Sequence, residues 1–342
     1  MSSLSYLASA SAVFLLSLVF TGLVRKIAIK NQIIDAVGGA RKIHQKPTPL
    51  LGGLGIFLAF FTALFIFSKY LTAGNLEIRH WLGFAVGGLI LMIGGFLDDK
   101  YDLKPKQQII APLLAVLAVI IGGVAIEKVT NPWGGFLFLQ SISALLIFVW
   151  LMGMMYTTKL LDGVDGLVGG VTTVGALVIF LFTMTTRYHQ PDVGLAALFL
   201  AAAVLGFLVW NWHPAKIFLG EGGSIFLGYA LGVLAIISGG KIAIALLVMG
   251  IPILDVIWTI VRRLRAGKNP FKFSDRQHLH HRLLDLGLSP RQTSLFYILI
   301  SSIFGLAGLF FQSHGKILLL GFLVLLMFSL VVFLNRKKSS NC

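Results

Sequence analysis

The sequence predicts an all-α integral membrane protein with about eleven transmembrane helices, its N-terminus outside and its C-terminus in the cytoplasm. Three observations carry that prediction. Hydrophobic residues make up 57% of the 342 residues and charged ones only 12%, about half the ~25% usual in a soluble domain. The apolar residues form runs long enough for a ~30 Å hydrocarbon core, which takes ~20 residues of helix. Basic residues gather between alternate runs, as the positive-inside rule requires.

In chain order the runs lie near 4–24, 50–68, 81–97, 108–126, 138–155, 166–186, 193–210, 224–238, 241–260, 294–311 and 316–334. No positive charge precedes the first, and Arg25-Lys26 follow it, so it reads as a span and not a cleaved signal. Only Ser238-Gly239-Gly240-Lys241 separates the eighth from the ninth, the weakest boundary. Paired glycines inside spans, such as Gly87-Gly88 and Gly94-Gly95, suit close helix packing. The whole chain, 1–342, reads as one integral membrane domain.

The formal charge is +15, from 28 Lys plus Arg against 13 Asp plus Glu. With the N-terminus outside, the inner segments are 25–49, 98–107, 156–165, 211–223, 261–293 and 335–342, and they hold 22 of the 28 basic residues. The outer segments hold Lys69, Arg79, Lys128, Arg187, Lys241 and Lys316. Charge collected between apolar runs excludes a soluble nucleic-acid binder, and no nucleic-acid partner is expected. The one cysteine, Cys342, is the last residue. It supports no intramolecular disulfide, cysteine-ligated zinc or cysteine nucleophile within the fold.

The acids are as lopsided as the bases. Asp98, Asp99 and Asp102 follow the third run, Asp162 and Asp165 lie between the fifth and sixth, and Glu221 lies between the seventh and eighth. All fall on the predicted cytoplasmic side, although more than 120 residues separate the first from the last. A single Asp there would read as a helix cap. The set sits among glycines, in Gly94-Gly95-Phe96-Leu97-Asp98-Asp99, Leu161-Asp162-Gly163-Val164-Asp165-Gly166 and Phe218-Leu219-Gly220-Glu221-Gly222-Gly223. Glycine permits tight turns and close approach of backbone to ligand. Converging carboxylates suit a hard cation such as Mg²⁺, or Mn²⁺, completed by water and substrate phosphates.

The largest inner loop supplies the opposite charge, with Arg262, Arg263, Arg265, Lys268, Lys272 and Arg276 leading to His278, His280 and His281. Arg262 to Arg265 directly follow a span and also suit anionic lipid heads. The histidines suit phosphate contact or proton transfer better than a transition metal, because no soft ligands accompany them. Carboxylates for a hard metal and a cationic, histidine-rich lid are the parts of a phosphoryl-transfer site. One substrate would be soluble, and the other a phosphate on a lipid in the bilayer. A transporter or flippase of an anionic lipid is the competing class, but it should show inverted repeats and charges near the midplane, and neither is evident.

From about Asp35 to Ser289 the chain resembles the polyprenyl-phosphate N-acetylhexosamine-1-phosphate transferases. The likeness rests on Asp35 through Gly53, which includes Arg41-Lys42-Ile43-His44 and Pro47-Thr48-Pro49-Leu50-Leu51-Gly52-Gly53, and on the pair Asp98-Asp99. It continues in Leu161-Asp162-Gly163-Val164-Asp165-Gly166-Leu167, and in Asn211 with Pro214-Ala215-Lys216-Ile217-Phe218-Leu219-Gly220. Four segments in the family's order are highly specific. The spelling His278-Leu279-His280-His281-Arg282 is similar to the branch that transfers GlcNAc-1-phosphate, more than to the phospho-MurNAc-pentapeptide branch of peptidoglycan synthesis.

The resemblance implies transfer of a sugar 1-phosphate from a UDP-sugar to undecaprenyl phosphate, with UMP released and Mg²⁺ required, in the bacterial cytoplasmic membrane. It implies that Asp98 and Asp99 prepare the lipid phosphate, that Glu221, with Asp99, binds metal, and that Phe218 stacks on uracil. By the same token Asn211, Asp162 and Asp165 help bind the nucleotide, while Lys46, His278, His280 and His281 meet phosphates or nucleoside; Arg276, from the basic loop itself, is a further candidate for substrate binding. Asp255 fits an aspartate the family often has late in its ninth span, with helix packing as an equal alternative. A homodimer is compatible with the resemblance, though no segment argues for it. Two positions depart from the family's spelling, which has Asp at Glu221 and Asn at Lys159. Glutamate moves the carboxylate by roughly an ångström, an error that can cost ~10²-fold in rate. Lys159 puts a cation beside carboxylates and offers a charge contact to the nucleotide's phosphates.

Overall fold

The computed structural model describes residues 2–38, 46–72, 76–131, 134–184, 189–239, 242–267 and 277–339. The helices are α1 (Ser3–Lys30), α2 (Gly52–Ile66), α3 (Ser68–Leu71), α4 (Ile78–Tyr101), α5 (Pro105–Gln108), α6 (Ile110–Ile121), α7 (Ser143–Leu161) and α8 (Leu167–Met184). They continue with α9 (Pro191–Asn211), α10 (Gly220–Ile237), α11 (Ile242–Val248), α12 (Gly250–Arg265), α13 (Leu279–Asp285), α14 (Pro290–Phe310) and α15 (Ser313–Ser339). Each predicted apolar run falls on one of these or on a consecutive pair. Among the described residues, eight helices are long and apolar enough to cross a membrane, and nine if α11 and α12 count as one broken span. The runs near 50–68 and 108–126 form shorter apolar helices.

Helix ends follow local chemistry. The Ser289 hydroxyl accepts from Gln292 N–H while the Gln292 side chain accepts from Ser289 N–H, closing a box around Pro290 at the first helical position of α14. Ser2 caps α1 in the same way, with Ser5 N–H 3.3 Å from its hydroxyl.

Three features depart from the sequence reading. The run near 241–260 is two helices bent by 77°. Met249 precedes Gly250 and Pro252, and proline, lacking an N–H, fits the first turn of a new helix but not the middle of an old one. Short antiparallel pairs also interrupt the all-α chain. One joins β1 (Ile34–Asp35) to β2 (Thr48–Pro49), and the other joins β3 (Lys128–Thr130) to β4 (Phe136–Phe138). Finally, helices run further than the apolar runs, so α1 continues to Lys30 and α10 begins at Gly220. Residues read as loop acids therefore stand on helix ends.

At the centre is α10, with 83% of its most apolar window buried, against 17% for α15. It packs on α2, α4, α7, α8 and α9. Two crossings bring backbone against backbone. A Cβ on Gly53 would lie 2.0 Å from Gly223 Cα, and one on Gly95 would lie 2.1 Å from Gly222 Cα. Such contacts are the close approach that small residues allow where packing, and not a difference in hydrophobicity, joins helices. Leu15, Leu82, Leu299 and Leu325 are exposed on the outward faces of α1, α4, α14 and α15. A lipid environment makes that arrangement favourable.

A candidate phosphate-handling site at one end of the bundle

The C-terminal ends of α4, α7 and α9 and the N-terminus of α10 meet at one end of the bundle, and the sequence motifs meet with them. Asp99, in the last turn of α4, accepts the Glu221 N–H at the start of α10 with both oxygens, at 3.0 and 3.2 Å. The first N–H groups of a helix lack internal partners, and this carboxyl supplies one. Gly220 precedes with φ +75°, and a Cβ on it would lie 2.5 Å from Asp99 Oδ2. Glycine is thus required at 220 both by the left-handed backbone and by the carboxylate.

Glu221 then turns its side chain to Lys159, in the last turn of α7. The two form an ion pair in which each side chain is about one-fifth exposed. Lys159 Nζ also donates to Gln108 Oε1 at 3.0 Å. Gln108 Nε2 donates to Asp98 Oδ1 at 3.1 Å, and Asp98 Oδ1 also accepts Leu103 N–H at 2.8 Å. Asp98, Gln108, Lys159 and Glu221 are therefore one connected polar chain. Gln108 escaped the sequence reading because it stands at the start of an apolar run with no motif around it.

Asp162 is the C-cap residue of α7, at the turn that leads into α8. Its carboxyl is raised to about 8, first by the desolvating protein around it and then by the like charges of Glu221, Asp99 and Asp165. Next to it, a Cβ on Gly163 would lie 2.5 Å from His280 Nε2, so the histidine segment rests on this turn.

Other predicted site residues brace the backbone. Asp165 Oδ2 is 2.7 Å from His213 Nδ1 and accepts Ala215 N–H at 3.0 Å, while its main-chain carbonyl accepts the Ser294 hydroxyl at 2.8 Å. His213 and Ser294 were not among the predicted residues, since neither lies in a recognisable pattern. Asn211 is buried, accepting Gly166 N–H and donating to the Ile217 carbonyl, both at 2.9 Å. Phe218 uses its backbone to dock α2, donating to Pro49 O and accepting Gly52 N–H, both at 2.8 Å. The Gly52-Gly53 pair thus serves loop geometry and helix packing together.

His278, His280 and His281 are all buried. Asp255, on α12, holds His278 Nδ1 at 2.8 Å with one oxygen and accepts Leu279 N–H at 2.9 Å with the other. The rings of His280 and His281 lie 4.2 Å apart. Burial first, then His281 and His278, push the His280 imidazole well below its usual value, so it is neutral at pH 7. Lys46 is exposed before β2. Arg276 and the stretch Arg41 to His44 lie outside the described residues.

A cavity of about 230 Å³ opens beside this cluster between α2, α4 and α10. Its walls include Leu54, Leu89, Met92, Ile93 and Phe96, and among the described residues that line it the one ionisable group is Asp99.

For a divalent cation the donor chemistry is suitable, since Asp99, Asp162 and Glu221 all offer hard oxygens. Among the described residues no three His, Asp or Glu side chains converge closely enough to hold an ion by themselves. The carboxylate of Glu221 already has the Lys159 ammonium beside it.

The chain is similar to known proteins over most of its length. The profile of glycosyl transferase family 4 matches residues 81–239, from the start of α4 to the end of α10. A probable undecaprenyl-phosphate N-acetylglucosaminyl 1-phosphate transferase of Bacillus subtilis is 32% identical over 86% of this chain and 82% of its own length. A decaprenyl-phosphate N-acetylglucosaminephosphotransferase of Mycolicibacterium smegmatis is 32% identical, over 86% and 80%. An undecaprenyl-phosphate alpha-N-acetylglucosaminyl 1-phosphate transferase of Yersinia pestis is 29% identical, over 86% and 81%.

Proposed function

The chain belongs to glycosyl transferase family 4, and on that premise we propose that it is the phosphotransferase that moves GlcNAc-1-phosphate from UDP-GlcNAc to undecaprenyl phosphate. A phosphate oxygen of the lipid attacks the sugar-linked phosphorus of the donor. The new P–O bond forms as the bond from that phosphorus to the bridging oxygen breaks, and UMP leaves with the bridging oxygen. The product is a lipid diphosphate sugar, the first intermediate of a cell-surface glycan.

The observation that carries the reading is the apolar cavity whose described lining includes one carboxylate, Asp99, which itself accepts the Glu221 N–H at the start of α10. A polyprenyl tail fits such walls, and its phosphate would meet the polar chain where the cavity ends. The donor's diphosphate and the lipid's phosphate among carboxylates need positive charge, and phosphoryl transfer is mainly a matter of positioning and neutralisation. Asp99 and Glu221 would hold Mg²⁺ or Mn²⁺, which would supply much of that neutralisation. Lys159 supplies a further cation of the protein's own. To Asp98, whose Oδ1 is held by Gln108 and Leu103, we assign the taking of a proton from the lipid phosphate. His280, neutral and resting on Gly163, offers a ring nitrogen beside Asp162.

In the membrane we place the site on the cytoplasmic side, with eleven crossings, the N-terminus outside and the C-terminus inside. The support is the charge asymmetry of the connecting segments, together with the meeting of the inner-segment acids at one end of the bundle. The test is UMP release by purified protein given undecaprenyl phosphate and either UDP-GlcNAc or UDP-MurNAc-pentapeptide. Release with UDP-GlcNAc alone is expected. Release with the pentapeptide donor alone would move the chain to the peptidoglycan branch.

A further inference from the structure

The two positions that depart from the family's spelling are in contact with each other. Lys159 and Glu221 come from different helices, and each side chain is about four-fifths buried in their ion pair. Asparagine at 159 would carry no charge to balance a carboxylate. Aspartate at 221 would draw its oxygens back toward the α10 backbone by roughly an ångström. The lysine and the longer acid therefore suit one another as an exchange of partners: the ammonium gains a carboxylate within reach, and the carboxylate gains a cation without any metal. Gln108 holds the lysine from the other side at 3.0 Å and ties it to Asp98. The arrangement is built, with both ends of the glutamine engaged.

We propose that Lys159 is a tethered cation that neutralises Glu221 and competes with a divalent ion for it, so that this pair sets how tightly the site takes metal. An opposite charge within ~4–6 Å changes a carboxylate's affinity for a proton by 1–3 powers of ten, and the same field acts on a metal ion approaching that carboxylate. Lysine is suited to the task, because its charge is compact and its four-carbon stem lets the ammonium swing to a phosphate when substrate arrives. The resting site is then charge-balanced at Glu221, and the divalent ion binds most firmly together with substrate.

This inference rests on the reading of the site as one that takes a divalent ion beside phosphate. Its test is Mn²⁺ binding to the metal-stripped full-length protein in detergent, without substrate, followed by paramagnetic resonance of free Mn²⁺. Lys159→Asn is expected to tighten Mn²⁺ binding by about tenfold or more, while Lys159→Arg stays within about threefold of the wild type. Glu221→Asp, which moves the acid away from the ammonium, is expected to tighten binding as well. Adding Glu221→Gln to Lys159→Asn should abolish the gain.

Binding within about threefold of wild type in both Lys159→Asn and Glu221→Asp would overturn the proposal. Should Lys159→Asn not survive purification, Glu221→Asp decides the matter alone, since it leaves every charge in place. UMP release measured in parallel separates the two claims. Metal-dependent release by the wild type with Mn²⁺ binding indifferent to both substitutions would leave the transferase standing and remove the tethered cation. Mn²⁺ binding that follows the expected order without UMP release under any condition would do the reverse.

Discussion

Both oxygens of the Asp99 carboxylate accept one donor, the backbone N–H of Glu221, at 3.0 and 3.2 Å. The end of α4 thereby caps the start of α10, across 122 residues of sequence. A residue read as chemistry is also a fastening. The two roles separate by substitution. Asp99→Asn keeps an oxygen acceptor for the N–H and loses the charge, so UMP release is expected to fall by about a hundredfold or more with little change in thermal midpoint. Asp99→Ala removes the cap as well and should lower stability by about 1 kcal/mol. Equal midpoints for the two variants would contradict the capping role.

The crossing of α2 and α10 gives a second prediction. A methyl at Gly53 would stand 2.0 Å from Gly223 Cα, and backbone on both sides leaves nothing free to give way. Gly53→Ala should destabilise by at least the ~1–3 kcal/mol typical of overpacking. Gly153, on α7, has nothing within 4 Å of the same position. Gly153→Ala should therefore leave the midpoint unchanged or raise it by the helix preference of alanine, up to about 1 kcal/mol. Thermal unfolding of both variants in detergent checks the contrast.

Asp162 makes stability depend on pH in a stated direction. Its folded pKa of about 8 lies above the unfolded value of 3.8, so the folded state holds the proton more tightly. Its contribution is fully present below about pH 4 and is lost as pH rises through 8. Asp162→Asn cannot ionise. Its thermal midpoint is expected to exceed that of the wild type above pH 8, with the gap closing toward pH 5. A gap independent of pH would contradict the raised pKa.

Asp255 holds His278 and the Leu279 N–H together, each with one oxygen, and so fixes where α13 begins. Asp255→Ala would leave buried donors unpaired, at about 1–3 kcal/mol. Asp255→Asn keeps one acceptor and should lose less. Limited proteolysis within 261–293 should quicken in the alanine variant first.

Much of this end of the molecule was legible in the sequence. Glycine beside acid, repeated at Asp98-Asp99, Asp162 to Gly166 and Gly220-Glu221, marked the segments that meet, and charge asymmetry grouped them on one side. The bend between α11 and α12 was not legible, because an apolar run reads the same whether or not Gly250 and Pro252 restart its helix. Gln108 and His213 stayed hidden for another reason. Their partners, Lys159 and Asp165, stand 51 and 48 residues away, and local periodicity carries no information about such contacts. The backbone contacts of Asn211 and the His213 contact of Asp165 were likewise not legible, since their partners come from other segments or from a turn without periodicity. Lys159 and Glu221 were marked singly as departures, and only the packing of α7 on α10 joins them.

The most direct measurement uses UDP-GlcNAc labelled with ³²P on the sugar-linked phosphorus, incubated with purified protein, undecaprenyl phosphate and Mg²⁺. Transfer of the sugar phosphate moves the label into the organic phase as lipid diphosphate sugar and releases unlabelled UMP, and Asp99→Asn should lower both by about a hundredfold or more. Label retained in the aqueous phase as UDP, with sugar alone on the lipid, would contradict the proposed bond cleavage, as would transfer undiminished in Asp99→Asn.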